Sequence, residues 1–165
     1  KLQEQSSDIK NRVYGIKDKN FPSFSVINSP GTISQCKTAP TCPGGSDLGW
    51  YVDLKNKQKL TAEPTVYKDR VYYPIYEPTS GTTGCNTGTA LLTAYNSKCG
   101  NSVLNVNVGK GVLTKVVVQK DNLYIGLAGE AKENISGFTS KDNLITGKSK
   151  AKGGGSITVE GWKEN

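Results

Sequence analysis

The sequence predicts an all-β fold built from short antiparallel strands. The 19 glycines and 7 prolines of the 165-residue chain are spread along its length, which is typical of many strands joined by tight turns. Several segments concentrate β-branched and aromatic residues, and no segment keeps a helical period over three turns. Because only 35% of the residues are apolar, we expect a thin core.

The first predicted strand, 12–18, places Tyr14 and Ile16 on the face opposite Val13. An irregular insertion over 18–48, rich in Pro, Ser and Gly, follows it. The hairpin over 63–78 contains Pro74, which is expected to place its strand at a sheet edge or a bulge, because proline lacks a ladder donor. The other predicted elements are the strands 49–54, 89–96 and 103–109, a hairpin over 113–129, a weak strand 134–140, a lysine–glycine loop 144–156 and a last strand 157–162.

An internal repeat links the two predicted hairpins. Residues 66–73 (VYKDRVYY) align with residues 118–125 (VQKDNLYI) at an offset of 52. Periods of about 40–50 residues with four strands each are typical of β-propeller blades. We therefore expect a single β domain of antiparallel four-stranded blade repeats. This partial β-propeller has about two to three blades: the blade 49–109, the last blade 110–165 and part of another.

The expected blade count is too small for a closed ring. About four to eight blades are needed to close a propeller. The sequence is therefore expected to be a piece of a longer protein, which alone is unstable or associates with a partner that supplies the missing blades. The rest of the propeller, or of the parent chain, is the first partner that this predicts.

Four cysteines, Cys36, Cys42, Cys85 and Cys99, indicate two disulfide bonds that tie down long loops. No CxxC motif occurs and no histidine completes a zinc site. Three pairings are open, of which Cys36–Cys42 with Cys85–Cys99 is the simplest. Closing loops this short stabilises by roughly 2–3 kcal/mol each on the chain-entropy model. Disulfides persist in oxidising compartments, so a secreted protein is expected.

The composition argues against most catalytic mechanisms. The absence of histidine removes the commonest general base and the commonest metal ligand. Asp53, Glu63, Asp69 and Glu77 fall at strand ends or turns, where carboxylates bend and cap the chain. The glycine-rich segments 81–88 and 152–156 lack the spacing of a phosphate-binding loop. No catalytic residue, metal site or cofactor is predicted, and no stretch reaches membrane-spanning length.

Charge and aromatic residues leave a binding surface open as an alternative to simple solubility and core packing. The formal net charge is +7, carried almost entirely by lysine, since Arg12 and Arg70 are the only arginines. Nucleic acid is not the expected partner, because base readout and phosphate clamping favour arginine. Tyr72 and Tyr76 share a strand face opposite Tyr73, and that face is either core or an exposed aromatic strip. The side chains predicted for a binding surface are Tyr72, Tyr76, Lys115, Lys148, Lys150 and Lys152.

The order of several motifs resembles the C-terminal propeller of the PilC/PilY family of type IV pilus-associated tip proteins. The 12–18 strand is similar to the one that precedes an insertion in that family. The resemblance covers most of 12–165, except the loops 19–48 and 144–156. Its motifs fall on Gly49, Trp50, Tyr51, Asp53 and Leu54; on Pro64, Val66, Val71 and Tyr73; on Cys85; on 95–100; and on Gly161, Trp162, Lys163 and Glu164.

The resemblance implies a secreted, non-enzymatic protein at a pilus tip or outer cell surface, exported through the periplasm. Minor or major pilins are the implied partners in pilus biogenesis, and host or abiotic surfaces are the implied targets of adhesion. The family's aspartate-rich calcium loop and variable N-terminal region do not occur in this sequence, so neither calcium dependence nor direct adhesion is carried over.

Three alternatives stay open at this point. The first is a standalone secreted subunit that builds or decorates an extracellular filament. The second is a surface module that binds DNA or lipopolysaccharide. A quinone-cofactor enzyme is the third, because its blades end in similar turns. Here the tryptophan that follows those turns is missing.

Overall fold

A computed structural model describes residues 11–16, 33–35, 49–55, 57–79 and 87–152, and of 33–35 only the backbone. The regular secondary structure of these ranges is entirely β. Most of the predicted insertion, and the predicted last strand 157–162, lie outside them. The strands are β1 (Arg12–Ile16), β2 (Ile33–Gln35), β3 (Gly49–Asp53), β4 (Lys59–Leu60), β5 (Thr65–Tyr67), β6 (Arg70–Glu77), β7 (Thr89–Asn96), β8 (Ser102–Leu113), β9 (Val117–Gln119), β10 (Asn122–Ala131), β11 (Phe138–Lys141) and β12 (Leu144–Lys148).

The described strands form two sheets. A three-stranded sheet has the order β1-β3-β2, with β1 antiparallel and β2 parallel to β3. A nine-stranded antiparallel sheet has the order β11-β12-β10-β8-β7-β6-β4, with β5 added to β6 and β9 added to β10. The predicted all-β, antiparallel architecture is confirmed except for the β2–β3 pair. No closed barrel or propeller is formed by the strands that the structure describes.

β6 and β7 form a middle layer that is buried on both faces. On one face, Tyr72 and Leu92 belong to a cluster with side chains of β10 and β12. On the other face, Tyr73 and Tyr95 belong to a second cluster with side chains of β1 and β3. The nine-stranded sheet therefore folds back on itself across the β8–β10 pairing, and three layers stack face to face. Each fully buried aliphatic side chain in such a core stabilises by about 1.5–3 kcal/mol.

Trp50 joins the small sheet to the middle layer. Its side chain is completely buried, and the indole ring lies 6.1 Å from the ring of Tyr95. The indole Nε1 donates a hydrogen bond of 2.9 Å to the carbonyl of Ser97, in the turn between β7 and β8. The same turn contains Cys99, which is disulfide-bonded. Sheet packing and a covalent cross-link thus meet at one turn.

Both hairpins of the internal repeat form, as the sequence predicted. Lys68–Asp69 joins β5 to β6, and Lys120–Asp121 joins β9 to β10. Lys68, Lys120 and Asp121 have φ of 53°, 47° and 64°, left-handed values of the kind that two-residue hairpin turns require. β8 runs without a break through 109/110, where one blade was expected to end and the next to begin.

Of the two predictions for Pro74, the edge is wrong and the bulge is confirmed, because four residues between β4 and β5 lie opposite Tyr73 and Pro74 of β6. Pro74 is fully buried in the middle of β6 and pairs with Leu92 of β7 without a shift of register. Its carbonyl accepts a hydrogen bond from the Thr61 amide on the opposite side, between β4 and β5. Because the nitrogen and the carbonyl of a strand residue face the same side, the missing donor costs no hydrogen bond to β7.

The predicted lysine–glycine loop over 144–156 is wrong at its start. Residues 144–148 form β12, which pairs with both β10 and β11. The turn Asp142–Asn143 before it has φ of 49° and 61°. A second copy of the tetrapeptide KDNL, at 120–123 and again at 141–144, is the sequence signal for this third hairpin.

Candidate functional site

Four of the described carboxylates are engaged in ion pairs: Asp53, Glu63, Asp69 and Asp121. Asp53 pairs with Arg12 at 2.6 Å, and Glu63 pairs with Lys115 at 2.8 Å. The hydrogen bond from Lys115 lowers the pKa of the Glu63 carboxyl. Within the described ranges, no group of three or more Cys, Asp or Glu side chains is placed to hold a metal ion.

The predicted exposed tyrosine strip is wrong, because both of its members are buried. Tyr72 is 0% and Tyr76 4% exposed. The Tyr72 hydroxyl lies 2.8 Å from the Ser149 hydroxyl, and the Tyr76 hydroxyl accepts a hydrogen bond of 3.0 Å from the Gly88 amide. The alternative interpretation, core packing, describes both side chains. Burial also raises the pKa of Tyr73, on the other face of β6, to about 12.

The four predicted lysines occupy separate settings. Lys115 lies between β8 and β9, where its side chain pairs with Glu63. Lys148 ends β12 and lines a shallow cavity. Lys150 and Lys152 follow β12, and both are exposed. These lysines lie in three different parts of the fold, so the cluster that they form in the sequence is not one site in the structure.

Lys150 and Lys152 are held by their backbones rather than by their charges. The Arg70 guanidinium donates a hydrogen bond of 2.6 Å to the Lys150 carbonyl. The Lys152 amide donates a hydrogen bond of 3.0 Å to the carboxylate of Asp69, in the first hairpin turn. These two hydrogen bonds connect the segment after β12 to the β5–β6 hairpin, and the side chains of Lys150 and Lys152 are exposed to solvent.

Of the four predicted disulfide cysteines, Cys99 is in the described part of the chain and is disulfide-bonded. Cys36, Cys42 and Cys85 lie outside it. The connectivity of the two predicted disulfides therefore stays a prediction.

The two repeated hairpins meet along a polar seam. The Thr65 hydroxyl donates to the Val116 carbonyl at 2.6 Å, and the Thr61 hydroxyl donates to the Leu113 carbonyl at 2.9 Å. These partners are 51 and 52 residues apart. The seam thus joins equivalent positions of the two repeats, which the offset of 52 alone did not predict.

The seam ends where the two hairpin turns touch. The Asp121 carboxylate accepts hydrogen bonds from the Lys68 ammonium at 2.7 Å and from the Tyr67 hydroxyl at 2.9 Å. These two hydrogen bonds, the one from Lys68 first, hold the pKa of Asp121 below its ordinary value. The seam is a structural contact between repeats and leaves the outer faces of the layers open.

Exposed apolar side chains are concentrated on edge strands. β1, β4, β5 and β9 each have a partner on one side only among the described strands. They carry five of the six large apolar side chains that are exposed in the described ranges, and these five are the candidate contact surface. Its members are Tyr14 (49%), Ile16 (57%), Leu60 (37%), Val66 (67%) and Val117 (58%).

The outer face of β1 and β3, here called the β1 face, combines aromatic and cationic side chains. The rings of Tyr14 and Tyr51 lie 6.0 Å apart, and the Arg12 guanidinium lies 4.7 Å from the centre of the Tyr51 ring. The hydrogen bond to Asp53 raises the pKa of Arg12. Tyr and Arg dominate the energetics of protein interfaces. The prediction that Tyr14 and Ile16 lie on the face opposite Val13 is confirmed, and Val13 is on the buried face.

A comparison with known protein families, with curated proteins and with solved structures gives no match to this chain. The resemblance to the PilC/PilY family therefore stays a prediction. No helix in the described ranges has the length and apolar character needed to cross a membrane.

Proposed function

We propose that the chain is a non-enzymatic component of a type IV pilus tip or assembly complex, which acts in pilus biogenesis and adhesion through protein contacts. Its place is extracellular, at the pilus tip or the outer cell surface, after export through the periplasm. Pilins and the rest of the parent chain are the proposed partners. The motifs over 12–165 support the family, and the exposed edge strands support the mode of action.

The observation that carries this proposal is the apolar character of the open strand edges. An edge strand presents unpaired backbone groups that template pairing with another chain, and proteins usually blunt such edges with charge or proline. Here β1 instead exposes Tyr14 and Ile16, and β5 exposes Val66. Addition of a partner strand to such an edge gives affinity through backbone hydrogen bonds and specificity through alternate side chains.

Two further features support the setting. The disulfide at Cys99 is typical of an oxidising compartment such as the periplasm or the cell exterior. The apolar clusters on both faces of β6 and β7 also support this setting, since propeller blades are sheets that pack face to face around a ring. In this proposal, the rest of the propeller packs on the β1 side of the stack, where apolar side chains are exposed.

The experiment compares exposed apolar residues on edge strands with an exposed apolar residue on a strand that is paired on both sides. Ile16→Lys on β1 and Val66→Lys on β5 place a charge on an open edge. The matched control is Leu144→Lys, because Leu144 is 43% exposed on β12, which has partners on both sides. Capture of purified minor pilins by the immobilised chain, and counts of surface pili in a strain that carries each variant of the parent protein, are the two readouts.

We expect the edge variants to weaken pilin capture by about tenfold, which is the effect of losing one hot-spot side chain. The control variant should leave pilin capture unchanged. Pilus counts should fall with the edge variants alone. Failure of the unmodified chain to capture any pilin, or an equal loss in the Leu144→Lys control, would refute the proposal.

A further inference from the structure

The outer face of the β9–β12 layer, here called the Tyr124 face, is a second open surface. The registers place Val117, Tyr124, Thr146 and Thr139 opposite one another in one row across four strands. Side chains that are directly opposite lie on the same face of a sheet. Asn122 and Lys148 form the neighbouring row, two residues along each strand, together with Gln119.

A shallow cavity of about 520 Å³ lies on this face. This volume falls within the range of about 300–1,000 Å³ that holds small ligands. Gly137 leaves one wall open, because no other group lies within 4 Å of the position of an added Cβ. The lining residues are Asn122, Tyr124, Gly137, Phe138, Thr139, Thr146, Gly147 and Lys148.

The uncharged polar side chains of the lining have hydrogen-bond donors and acceptors that are not used within the protein. The hydroxyls of Thr139 and Thr146 lie 2.8 Å apart, so one donates to the other. Each hydroxyl has one donor and two acceptor positions, and most of these stay open to a ligand. The Asn122 amide makes a single long contact of 3.5 Å, from Nδ2 to the Lys120 carbonyl. The half-buried ring of Tyr124 lies between these groups.

The charge at the cavity is positive. Among the described residues that line it, Lys148, opposite Asn122 in the register, is the one side chain with a formal charge, and none is a carboxylate. The Asp121 carboxylate accepts hydrogen bonds from Lys68 and Tyr67, and the charge of Lys148 also helps to lower its pKa. A ligand with one negative charge and several hydroxyls complements this set.

The composition of the Tyr124 face also differs from that of the packed faces of this molecule. The packed faces of β6 carry Val71, Tyr73 and Ile75 on one side and Tyr72, Pro74 and Tyr76 on the other. The Tyr124 face instead carries polar side chains at six of its ten positions. These six are Gln119, Asn122, Thr139, Lys141, Thr146 and Lys148. It is built for a hydrated ligand rather than for another layer of sheet.

We propose that the Tyr124 face binds the pyranose ring of an acidic saccharide of the hexuronate class. The Tyr124 ring packs on the C–H face of the sugar, and the Thr139, Thr146 and Asn122 side chains hydrogen-bond its hydroxyls. Lys148 pairs with the carboxylate. The side chains proposed to bind the sugar, those of Asn122, Tyr124, Thr139, Thr146 and Lys148, are not used in the pilus proposal, so either proposal can fail without the other.

Binding of sodium glucuronate to the full chain, followed by amide chemical shifts, tests this directly. With about 13 non-hydrogen atoms, such a ligand is expected to have a Kd of about 1 mM. Shifts should be confined to residues 122–124, 137–139 and 146–148. Glucose should bind the same residues about fivefold more weakly, and sodium acetate should not shift them, since it has the charge without the ring.

Variants separate the contributions of ring and charge. Tyr124→Ala should weaken glucuronate binding by about tenfold or more, whereas Tyr124→Phe, which keeps the ring, should stay within about twofold. Lys148→Gln should reduce glucuronate binding to the level of glucose and leave glucose binding unchanged. Tyr14→Ala and Lys98→Gln, exposed residues elsewhere, are the matched controls, and thermal unfolding confirms that each variant folds.

Four outcomes would overturn the proposal. They are the absence of shifts at about 20 mM glucuronate, which is far above the expected Kd; equal shifts with acetate; equal losses in the control variants; and a loss of binding in Tyr124→Phe. Tighter binding of a DNA oligonucleotide at the same residues would also overturn it, because the face would then be a general anion surface.

Discussion

The packing of Trp50 between two glycines predicts that a single methyl group destabilises the fold. Gly100 has a φ of 71°, and an added Cβ there would lie 2.5 Å from Cδ2 of Trp50. On the neighbouring strand, an added Cβ at Gly15 would lie 2.2 Å from Cε2 of the same ring. The ring cannot move away without losing the 2.9 Å hydrogen bond to Ser97. Gly100→Ala is therefore the perturbation, and Gly137→Ala is its matched control.

The control isolates the backbone cost of the methyl group. Gly137 has a φ of 78°, and an added Cβ there meets no group within 4 Å. Alanine in the left-handed region costs about 1–2 kcal/mol, and both variants bear this cost. Gly100→Ala adds overpacking against a completely buried ring, which costs about 1–3 kcal/mol more. The expected losses are about 1–2 kcal/mol for the control and about 2–5 kcal/mol for Gly100→Ala.

Urea unfolding with a shared m-value measures both losses. A double-mutant cycle adds the decisive comparison: a Trp50→Ala background lacks Cγ, Cδ2 and Cε3, the atoms that the added Cβ would meet, and should remove the excess cost of Gly100→Ala. Losses at Gly100 and Gly137 within about 0.5 kcal/mol of each other would refute the packing argument. An excess cost that persists in the Trp50→Ala background would refute it as well.

Three further predictions follow from the core and the turns. Burial raises the pKa of Tyr73 to about 12 from its ordinary 10, so its contribution to stability is complete below pH 10 and is lost as the pH rises towards 12; absorbance titration should show a late tyrosine that Tyr73→Phe removes. Asp121→Asn should lower Tm at pH 7, whereas Asp142→Asn, in the exposed third turn, should not. Because the pKa of Asp121 is lowered, the carboxylate's contribution to stability is present above pH 3.8 and is lost as the pH falls through the lower pKa of the folded state. The Tm values of the unmodified protein and of Asp121→Asn should therefore converge at low pH. Leu92→Ala, at a completely buried position, should cost about 2–5 kcal/mol in urea unfolding, and a loss below about 1 kcal/mol would contradict its place in the core.

Local pattern was enough to predict the elements whose structure is decided locally. The strand over 89–96 was predicted with the bounds of β7, because a run of apolar residues is bounded there by turn residues. Both Lys–Asp turns were found for the same reason. The third hairpin was missed because Gly147 and Lys148 have little β propensity. β12 forms nevertheless, since β10 and β11 supply a ladder on both sides.

Features that depend on neighbouring layers could not be predicted from local pattern. Whether Pro74 interrupts a sheet depends on which side its nitrogen faces, and that is fixed by the distant Thr61. Whether Tyr72 and Tyr76 are exposed depends on a second layer covering the even face of β6, which the alternation of a single strand does not show. The Tyr124 face was missed for a related reason, because its row is assembled from four strands that span residues 117–148.

For the proposed partial propeller, the two ends of the three-layer stack differ in what a further layer would bury. At one end, the β1 face exposes Tyr14 and Ile16, and covering them with another layer would bury apolar surface, while the charge of Arg12 there is already paired with Asp53. At the other end, covering the Tyr124 face would bury the hydroxyls of Thr139 and Thr146 and the ammonium of Lys148. Each such group costs free energy unless the covering layer hydrogen-bonds it. Growth of the stack on the β1 side, with the Tyr124 face left in water, therefore satisfies both surfaces. With this arrangement, the proposed assembly through the β1 face leaves the proposed ligand site on the Tyr124 face accessible.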